Sequence, residues 1–257
     1  MYSNYHCNLA CTYCLTESAP GVSKRRLGHE QMVALAQEAA ELGFTELGVT
    51  GGEPFIEPDM PERVGHLAEI LPVVVLTNGT MFTERRLQRL RPLRQLDVKV
   101  QVSLDSSDPV ANDAMRGPDN FRKVVDAIPR LVDLGVRVRI ASTREYVDED
   151  DLAHLCALHR ALGIPDEDHI VRPIVRRGRA VDYDMGLDAA AQDLPPELTI
   201  TADGAFWSAF GPTVHGGKLD TDLLVTRTIL PLSVPANAML RLLELQPVSV
   251  NDDSQFI

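Results

Sequence analysis

The segment CNLACTYC, residues 7–14, carries three cysteines separated by three residues and then by two, with Tyr13 immediately before the last of them. The 257-residue chain has only one further cysteine, Cys156. Three thiolates on one short loop can hold three corners of a cubic iron–sulfur cluster, whose fourth iron then keeps an open coordination position. The spacing therefore indicates a reactive iron site rather than a structural link.

Two other uses of clustered cysteines fit this sequence less well. A disulfide framework is typical of small secreted domains with an even set of cysteines, whereas this chain is long and has no signal peptide. A structural zinc site needs a fourth ligand, and His6 is adjacent to Cys7, too close to complete a tetrahedron with the same loop.

Outside this loop, composition limits the class of protein. With 257 residues, 44% of them hydrophobic, the chain can bury a full core. The formal net charge of -12 repels polyphosphate, and no basic stripe is interleaved with aromatic residues, so we expect no nucleic-acid partner. No apolar run is long enough to cross a membrane, so we do not expect a membrane as a partner. Reduced cysteines without a targeting segment predict a cytoplasmic location.

The first 175 residues alternate short β-branched runs with amphipathic helical stretches, the pattern of a parallel sheet with crossover helices. Six such units predict an α/β fold, a partial (β/α)6 barrel of parallel strands. The predicted strands are Tyr2 to His6, Glu46 to Thr50, Val73 to Thr77, Val98 to Val102, Val136 to Ala141 and His169 to Ile174.

Polar clusters follow the carboxyl ends of these strands. The cysteine loop follows the first strand, and the later clusters are residues 51–54, 78–80, 103–105 and 142–143. In parallel α/β barrels the loops at this end converge on one mouth, where active sites form. We therefore expect these groups around one opening.

Three of these segments resemble the radical S-adenosylmethionine (radical SAM) superfamily. The cysteine loop fits the CxxxCxφC pattern in which φ is aromatic, residues 51–54 (GGEP) resemble the family's GGEP segment, and residues 102–105 (VSLD) resemble its ribose-side strand end. The resemblance implies that Cys7, Cys11 and Cys14 hold a 4Fe-4S cluster. It also implies that S-adenosylmethionine binds the open iron and is cleaved reductively, giving a radical that abstracts hydrogen from substrate.

The resemblance further implies a set of cofactor-binding residues at the strand ends. Residues 51–53 would receive the methionyl amine, although a tight turn is an alternative use for them. Asp105 could instead cap a helix, and Arg116 could instead form a structural ion pair. For the methionyl carboxylate, Thr143 is as good a candidate as Ser142. The set is Tyr13, Gly51, Gly52, Glu53, Asn78, Ser103, Asp105, Arg116, Ser142 and Arg172.

The resemblance covers the barrel, residues 1–182, and weakens after it. Residues 183–257 predict a small α+β extension with a hairpin around Asp203-Gly204, a helix and a tail, like the SPASM or twitch extensions of one branch of the family. This extension has no cysteine, so we expect a single cluster. The same absence leaves a second hypothesis open, in which a degenerate barrel binds cluster and cofactor as the partner or scaffold of another enzyme.

The remaining expectations concern substrate and partners. Cys156 is either a buried helix cysteine or a thiol that donates hydrogen to a substrate radical. The resemblance implies an electron donor of the flavodoxin or ferredoxin type. Residues 24–26 (KRR) are a candidate contact for it, although the sequence favours a solvated face there. The substrate is a small molecule or a peptide. Because the cysteine loop begins at residue 7, we expect a peptide substrate to need a separate partner for capture.

Overall fold

A computed structural model describes residues 1–22, 25–145 and 149–245. Lys24 of the candidate donor contact and the predicted tail at residues 251–257 lie outside the described residues. Five parallel strands form one sheet in the order in which they occur along the chain, curled into a half-barrel. They are β1 (Leu47–Val49), β2 (Val73–Thr77), β3 (Val98–Ser103), β4 (Arg137–Arg144) and β5 (His169–Pro173).

Six helices accompany this sheet, and the crossover pattern confirms the predicted α/β partial barrel. They are α1 (His29–Glu41), α2 (Met60–Ala68), α3 (Glu84–Leu90), α4 (Pro109–Arg116), α5 (Asn120–Asp133) and α6 (Glu149–Ala161). Val75, Val100 and Ile140 from neighbouring strands are fully buried in the main core, together with Leu35 of α1 and Ile128 of α5. Burial of each such side chain stabilises the fold by about 1.5–3 kcal/mol.

The first predicted strand was wrong as a member of a continuous sheet. Tyr2 forms one parallel bridge with Thr50, and the segment then turns to bridge other parts of the chain, Asn4 to Arg26 and His6 to Ala19. It still follows the end of β1, because the Ser3 N–H donates to Thr50 O at 2.7 Å. The segment is thus a bent border of the half-barrel rather than its sixth strand.

The C-terminal part packs directly on the half-barrel. Its elements are β6 (Leu198–Thr201), β7 (Gly204–Trp207), β8 (Thr213–His215), β9 (Lys218–Asp220), β10 (Leu224–Thr226) and α7 (Ser233–Leu245). The predicted hairpin is present, with Thr201 opposite Gly204 in the antiparallel β6–β7 pair. Ile200, Ala205 and Leu232 belong to the same buried core as the parallel strands. The extension is therefore continuous with the barrel core.

None of the described helices has the length and apolarity that a membrane crossing requires.

Candidate active site at the cysteine loop

The cysteine loop is anchored from both sides by the rest of the fold. The Thr12 N–H donates to Met115 O at 2.9 Å, near the end of α4. On the other side the Arg179 N–H donates to Cys14 O at 2.9 Å, and its guanidinium donates to Cys11 O at 2.6 Å and to Ser18 O at 3.2 Å. The loop is therefore fixed at the mouth of the half-barrel.

Gly178 brings the segment after β5 into contact with this loop. Its φ is +58°, and a Cβ there would lie 2.4 Å from Leu15 O and 2.5 Å from Cys14 O. Only glycine fits such an approach in a left-handed conformation. Residues 178–180 (GRA) thus act on the loop backbone, and Arg179, which the sequence alone did not single out, is the arginine that binds it.

The three cysteines form no disulfide, and their surroundings are suited to binding a metal. Burial raises the pKa of the Cys7 thiol to about 12, even though the Leu9 N–H donates to its sulfur at 3.4 Å. Burial also raises the pKa of Cys11, which Arg116 and Arg179 oppose. Buried thiols with high pKa values become thiolate ligands when a metal supplies compensating charge. Three cysteines on one loop, with N–H donors at the sulfur of Cys7, fit an iron–sulfur cluster.

Glu53 is fully buried and fastens β1 to β2. Its carboxylate accepts from Phe55 N at 2.9 Å, Thr77 Oγ1 at 2.8 Å and Asn78 N at 2.8 Å. Burial raises the pKa of Glu53, and these three hydrogen bonds oppose that rise. The carboxylate is thus already engaged by the protein, and its predicted role with the methionyl amine stays a prediction.

Gly51 and Gly52 allow the N-terminal segment to lie against the end of β1. A Cβ at Gly51 would lie 2.6 Å from Asn4 O, and one at Gly52 would lie 2.2 Å from His6 O. The Gly52 N–H donates to Asn4 O at 2.8 Å. Both glycines therefore serve at least the close packing of the segment that leads into the cysteine loop.

Asp105 at the end of β3 is the centre of a buried polar cluster. Its Oδ2 accepts from Tyr13 Oη at 2.5 Å and from Arg116 Nη1 at 3.0 Å, and its Oδ1 accepts from Thr143 N at 2.8 Å. Arg116 also donates to the Tyr13 hydroxyl. Burial raises the pKa of Tyr13 well above its ordinary value, so the hydroxyl stays protonated. The structural ion pair considered for Arg116 is present, and it ties the cysteine loop to β3, α4 and β4.

Asn78 joins the same mouth from the end of β2. Its Nδ2 lies 3.0 Å from Asn8 Oδ1 and 3.6 Å from Cys7 Sγ. Ser103 ends β3 with a half-buried side chain, opposite Ala141 in the register. These two predicted residues therefore lie close to the groups that hold the loop.

Ser142 faces the helix side of the sheet. Its Oγ donates to Leu104 O at 2.6 Å and therefore accepts from His169 Nε2 at 3.1 Å. Because side chains alternate along a strand, its neighbour Thr143 faces the barrel interior, where it pairs in register with Arg172. The structure does not bring Ser142 together with the interior residues.

Cys156 lies on α6 behind the sheet. Its Sγ is 3.4 Å from His169 Nδ1, which is the free acceptor nitrogen once Nε2 donates to Ser142. Leu155 and His159 of the same helix are buried beside it. This placement agrees with a packed helix cysteine, and the sheet separates it from the barrel interior where a substrate radical would form.

Comparison with known proteins agrees with this geometry. Residues 1–156, more than half of the chain, match the sequence profile of the radical SAM superfamily. The chain belongs to the radical SAM superfamily. Members of this superfamily are enzymes that use a 4Fe-4S cluster and S-adenosylmethionine, so the expected class of protein is confirmed.

Two curated proteins illustrate the relationship. The chain is similar to mycofactocin maturase MftC of Mycolicibacterium smegmatis, with 32% identity over 162 residues, which are 61% of this chain and 41% of that protein. It is also similar to the antilisterial bacteriocin subtilosin biosynthesis protein AlbA of Bacillus subtilis, with 32% identity over 139 residues, which are 53% and 31% of the two chains. The radical SAM chain thus matches less than half the length of each.

A solved structure shows the same fold. Streptococcus suis SuiB bound to its precursor peptide SuiA superimposes with a TM-score of 0.59 at 17% sequence identity, over 75% of this chain and 42% of that chain.

The interior of the radical SAM half-barrel contains a partly open cavity of about 440 Å³. Leu15, which follows the last cluster cysteine, lies in its wall together with Tyr2. Arg139 and Arg172 line it from β4 and β5, and Glu197 lines it from the C-terminal part. Predicted residue Arg172 therefore lies inside the barrel, on the opposite face of the sheet from Ser142.

Proposed function

We propose that this protein reductively cleaves S-adenosylmethionine at a single 4Fe-4S cluster held by Cys7, Cys11 and Cys14, and abstracts a hydrogen atom from a small molecule or a peptide. When bound, the cluster and cofactor supply the electron transfer and the radical. The observation that carries the proposal is the anchored loop with three cysteines that form no disulfide, in a chain of this superfamily.

The residues around the loop would position the cluster and exclude water. Leu9 N and Asn78 Nδ2 face the Cys7 sulfur, which stabilises a thiolate by hydrogen bonding. Arg116 and Arg179 place positive charge near Cys11. The cofactor contacts proposed for Tyr13, Gly51, Gly52, Glu53, Asn78, Ser103, Asp105, Arg116, Ser142 and Arg172 remain proposals, with Thr143 better placed than Ser142 to reach the interior.

Anaerobic reconstitution tests the cluster. Wild type is expected to hold about four irons per chain. Cys7→Ala is expected to lose most of this iron, whereas the matched control Cys156→Ala is expected to keep it, because Cys156 lies behind the sheet. Iron contents well above four in wild type would contradict a single cluster. Equal iron in the two variants would contradict the assigned ligands.

Turnover separates the proposed enzyme from its alternative. With reductant, the loaded protein is expected to release 5′-deoxyadenosine from S-adenosylmethionine. Chromatography measures this release. The alternative is a scaffold or partner that binds the cofactor without cleaving it, and it is favoured by the absence of cysteine from residues 183–257. A fully loaded cluster that binds S-adenosylmethionine but gives no cleavage with reductant would support the scaffold and contradict the enzyme.

The proposed partners follow from the same chemistry. An electron donor of the flavodoxin or ferredoxin type would reduce the cluster, and a reducing, cytoplasmic setting would preserve thiols that form no disulfide. A peptide substrate is supported by the similarity to maturases and to a relative solved with its precursor peptide. A small molecule remains compatible with the size of the cavity.

A further inference from the structure

The cavity inside the half-barrel carries an unusual set of charges. Its walls are largely apolar, with Leu76 of β2 and Ile200 of β6 among them, yet the guanidinium groups of Arg139 and Arg172 both line it. Glu197 also lines the cavity. Apolar walls with a few convergent charged groups are typical of ligand sites in which the charges fix the orientation of the ligand.

Arg172 interacts electrostatically with Glu197 across this cavity. No hydrogen bond or ion pair joins its side chain to another residue within the part of the chain that the structure describes, and its side chain is more than half buried. By contrast, the buried Arg116 at the mouth pairs with Asp105 at 3.0 Å. A buried guanidinium without a hydrogen-bond partner is costly, and a carboxylate or phosphate can satisfy it bidentately.

Arg139 adds a second positive charge. Its Nε donates to Gln101 Oε1 at 2.8 Å, which fixes the side chain, and it makes no ion pair with a described residue. Burial lowers the pKa of Arg172, Glu197 opposes this, and Arg139 adds to it. Glu46, the other acidic residue in the wall, lies 3.9 Å from Lys99. Two arginines and two carboxylates therefore line the cavity, and Arg172, which has neither a hydrogen bond nor an ion pair among the described residues, is the group that an added anion would satisfy.

The position of the cavity relates this anion to the reaction. Leu15 follows Cys14 directly and lines the cavity, so the cavity extends to the chain that leaves the cysteine loop. We propose that Arg172 and Arg139 bind an acidic group of the substrate, a carboxylate or a phosphate, and hold the rest of the substrate toward the cluster. This inference rests on the proposed function, since it assigns the substrate class of the same site, and it replaces the cofactor contact proposed above for Arg172 with a substrate contact.

Equilibrium binding tests the inference without reductant or turnover. The reconstituted protein, saturated with S-adenosylmethionine, is titrated with N-acetyl-glutamate α-amide, with the phosphoserine equivalent and with the neutral N-acetyl-glutamine α-amide, by calorimetry and by the shift in Tm. We expect at least one acidic probe to bind at least tenfold more tightly than the neutral isostere and to raise Tm, because a ligand stabilises the state that it binds. The two acidic arms distinguish a carboxylate from a phosphate.

Variants locate the binding. Arg172→Met keeps the apolar stem, and Arg139→Met removes the second charge; each is expected to reduce the affinity for the acidic probe at least tenfold, while Arg172→Lys restores part of it. The matched control Arg91→Met removes an exposed arginine and is expected to leave the affinity unchanged. Circular dichroism checks that each variant is folded.

Three results would overturn the inference. They are equal binding of acidic and neutral probes, equal affinity in the Arg172→Met and Arg91→Met proteins, and displacement of S-adenosylmethionine by the acidic probe, which would assign Arg172 to the cofactor. Failure of the proposed function looks different, since a protein that binds the acidic probe but never cleaves S-adenosylmethionine would contradict the enzyme and leave the anion site standing.

Discussion

At the scale of single residues, backbone contacts hold the cysteine loop as much as side chains do. Arg179 binds two loop carbonyls through its guanidinium and a third through its N–H. Gly178 beside it allows the two chain segments to touch. Cluster ligands need fixed sulfur positions, so this pair of residues acts on the site without contacting a sulfur atom.

Substitutions at two glycines with similar backbone geometry distinguish the effect of close packing on stability from the effect of backbone strain. Gly178 has φ +58° and a Cβ there would meet Leu15 O at 2.4 Å, whereas Gly216 has φ +55° and nothing within 4 Å. Gly216→Ala is expected to cost only the left-handed conformation, about 1–2 kcal/mol. Gly178→Ala introduces the same strain and also a steric clash with Leu15 O, so a larger loss of stability and of bound iron is expected. Denaturant titration and iron analysis measure both.

Equal losses in these two variants would show that the contact between Gly178 and the loop carbonyls has little influence on the site.

The candidate residues of the cysteine loop could be predicted from the sequence, whereas the contacts that hold the loop could not. Spacing within eight residues identified Cys7, Cys11 and Cys14, because a local pattern carries that information. Arg179 was not singled out, since its partners Cys11 and Ser18 lie more than 160 positions away in the chain. No local signal reports such a pairing.

At the scale of elements, strand register decides which side chains meet. Ser142 and Thr143 are neighbours in β4, and alternation sends one to the helix side and the other to the interior. The sequence marked both as candidates and could not choose between them. The bent segment at residues 2–6 shows a similar limit, because a run of five residues is too short to predict where the chain turns.

Helix α6 packs an uncharged histidine behind the sheet. His159 is 1% exposed, and both of its ring nitrogens lack a hydrogen-bond partner among the described residues. Burial, and to a lesser degree His169, lowers the pKa of His159 from 6.5 to about 3. Within that interval the unfolded chain binds a proton that the folded chain does not bind. The free energy of unfolding therefore falls as the pH falls, by up to about 1.4 kcal/mol per pH unit.

Replacing His159 should weaken this pH dependence. His159→Leu is expected to give a smaller loss of stability between about pH 6.5 and pH 5 than wild type, measured by denaturant titration at each pH. His154→Leu on the exposed side of the same helix is the control and should keep the wild-type dependence. A wild-type pH dependence in the His159 variant would contradict a buried, neutral histidine.

At the scale of the whole molecule, the half-barrel and the C-terminal part share one core. Ile200 and Leu232 pack with the parallel strands, and Ile200 O accepts from Tyr2 N at 2.7 Å. The C-terminal part also supplies Glu197 to the cavity wall. The predicted boundary at residue 182 is therefore a change of architecture within a continuous core.

Truncation tests this continuity. A chain of residues 1–182 would expose the buried face that Ile200, Ala205 and Leu232 cover, so it is expected to lose cooperative unfolding and most of its iron-binding capacity. Circular dichroism during heating and iron analysis give the comparison with the full chain. A truncated chain with an unchanged Tm would show that the barrel folds without its extension.

The sequence by itself determined the superfamily, the parallel α/β architecture and the position of polar groups after the strand ends. These features depend on spacing and periodicity, which are local properties of a chain. Only the tertiary structure decided that Arg172 and Arg139 share a cavity, that Ser142 faces away from it and that Arg179 holds the loop. Those outcomes depend on strand register and on contacts between distant residues, which packing of the whole core fixes.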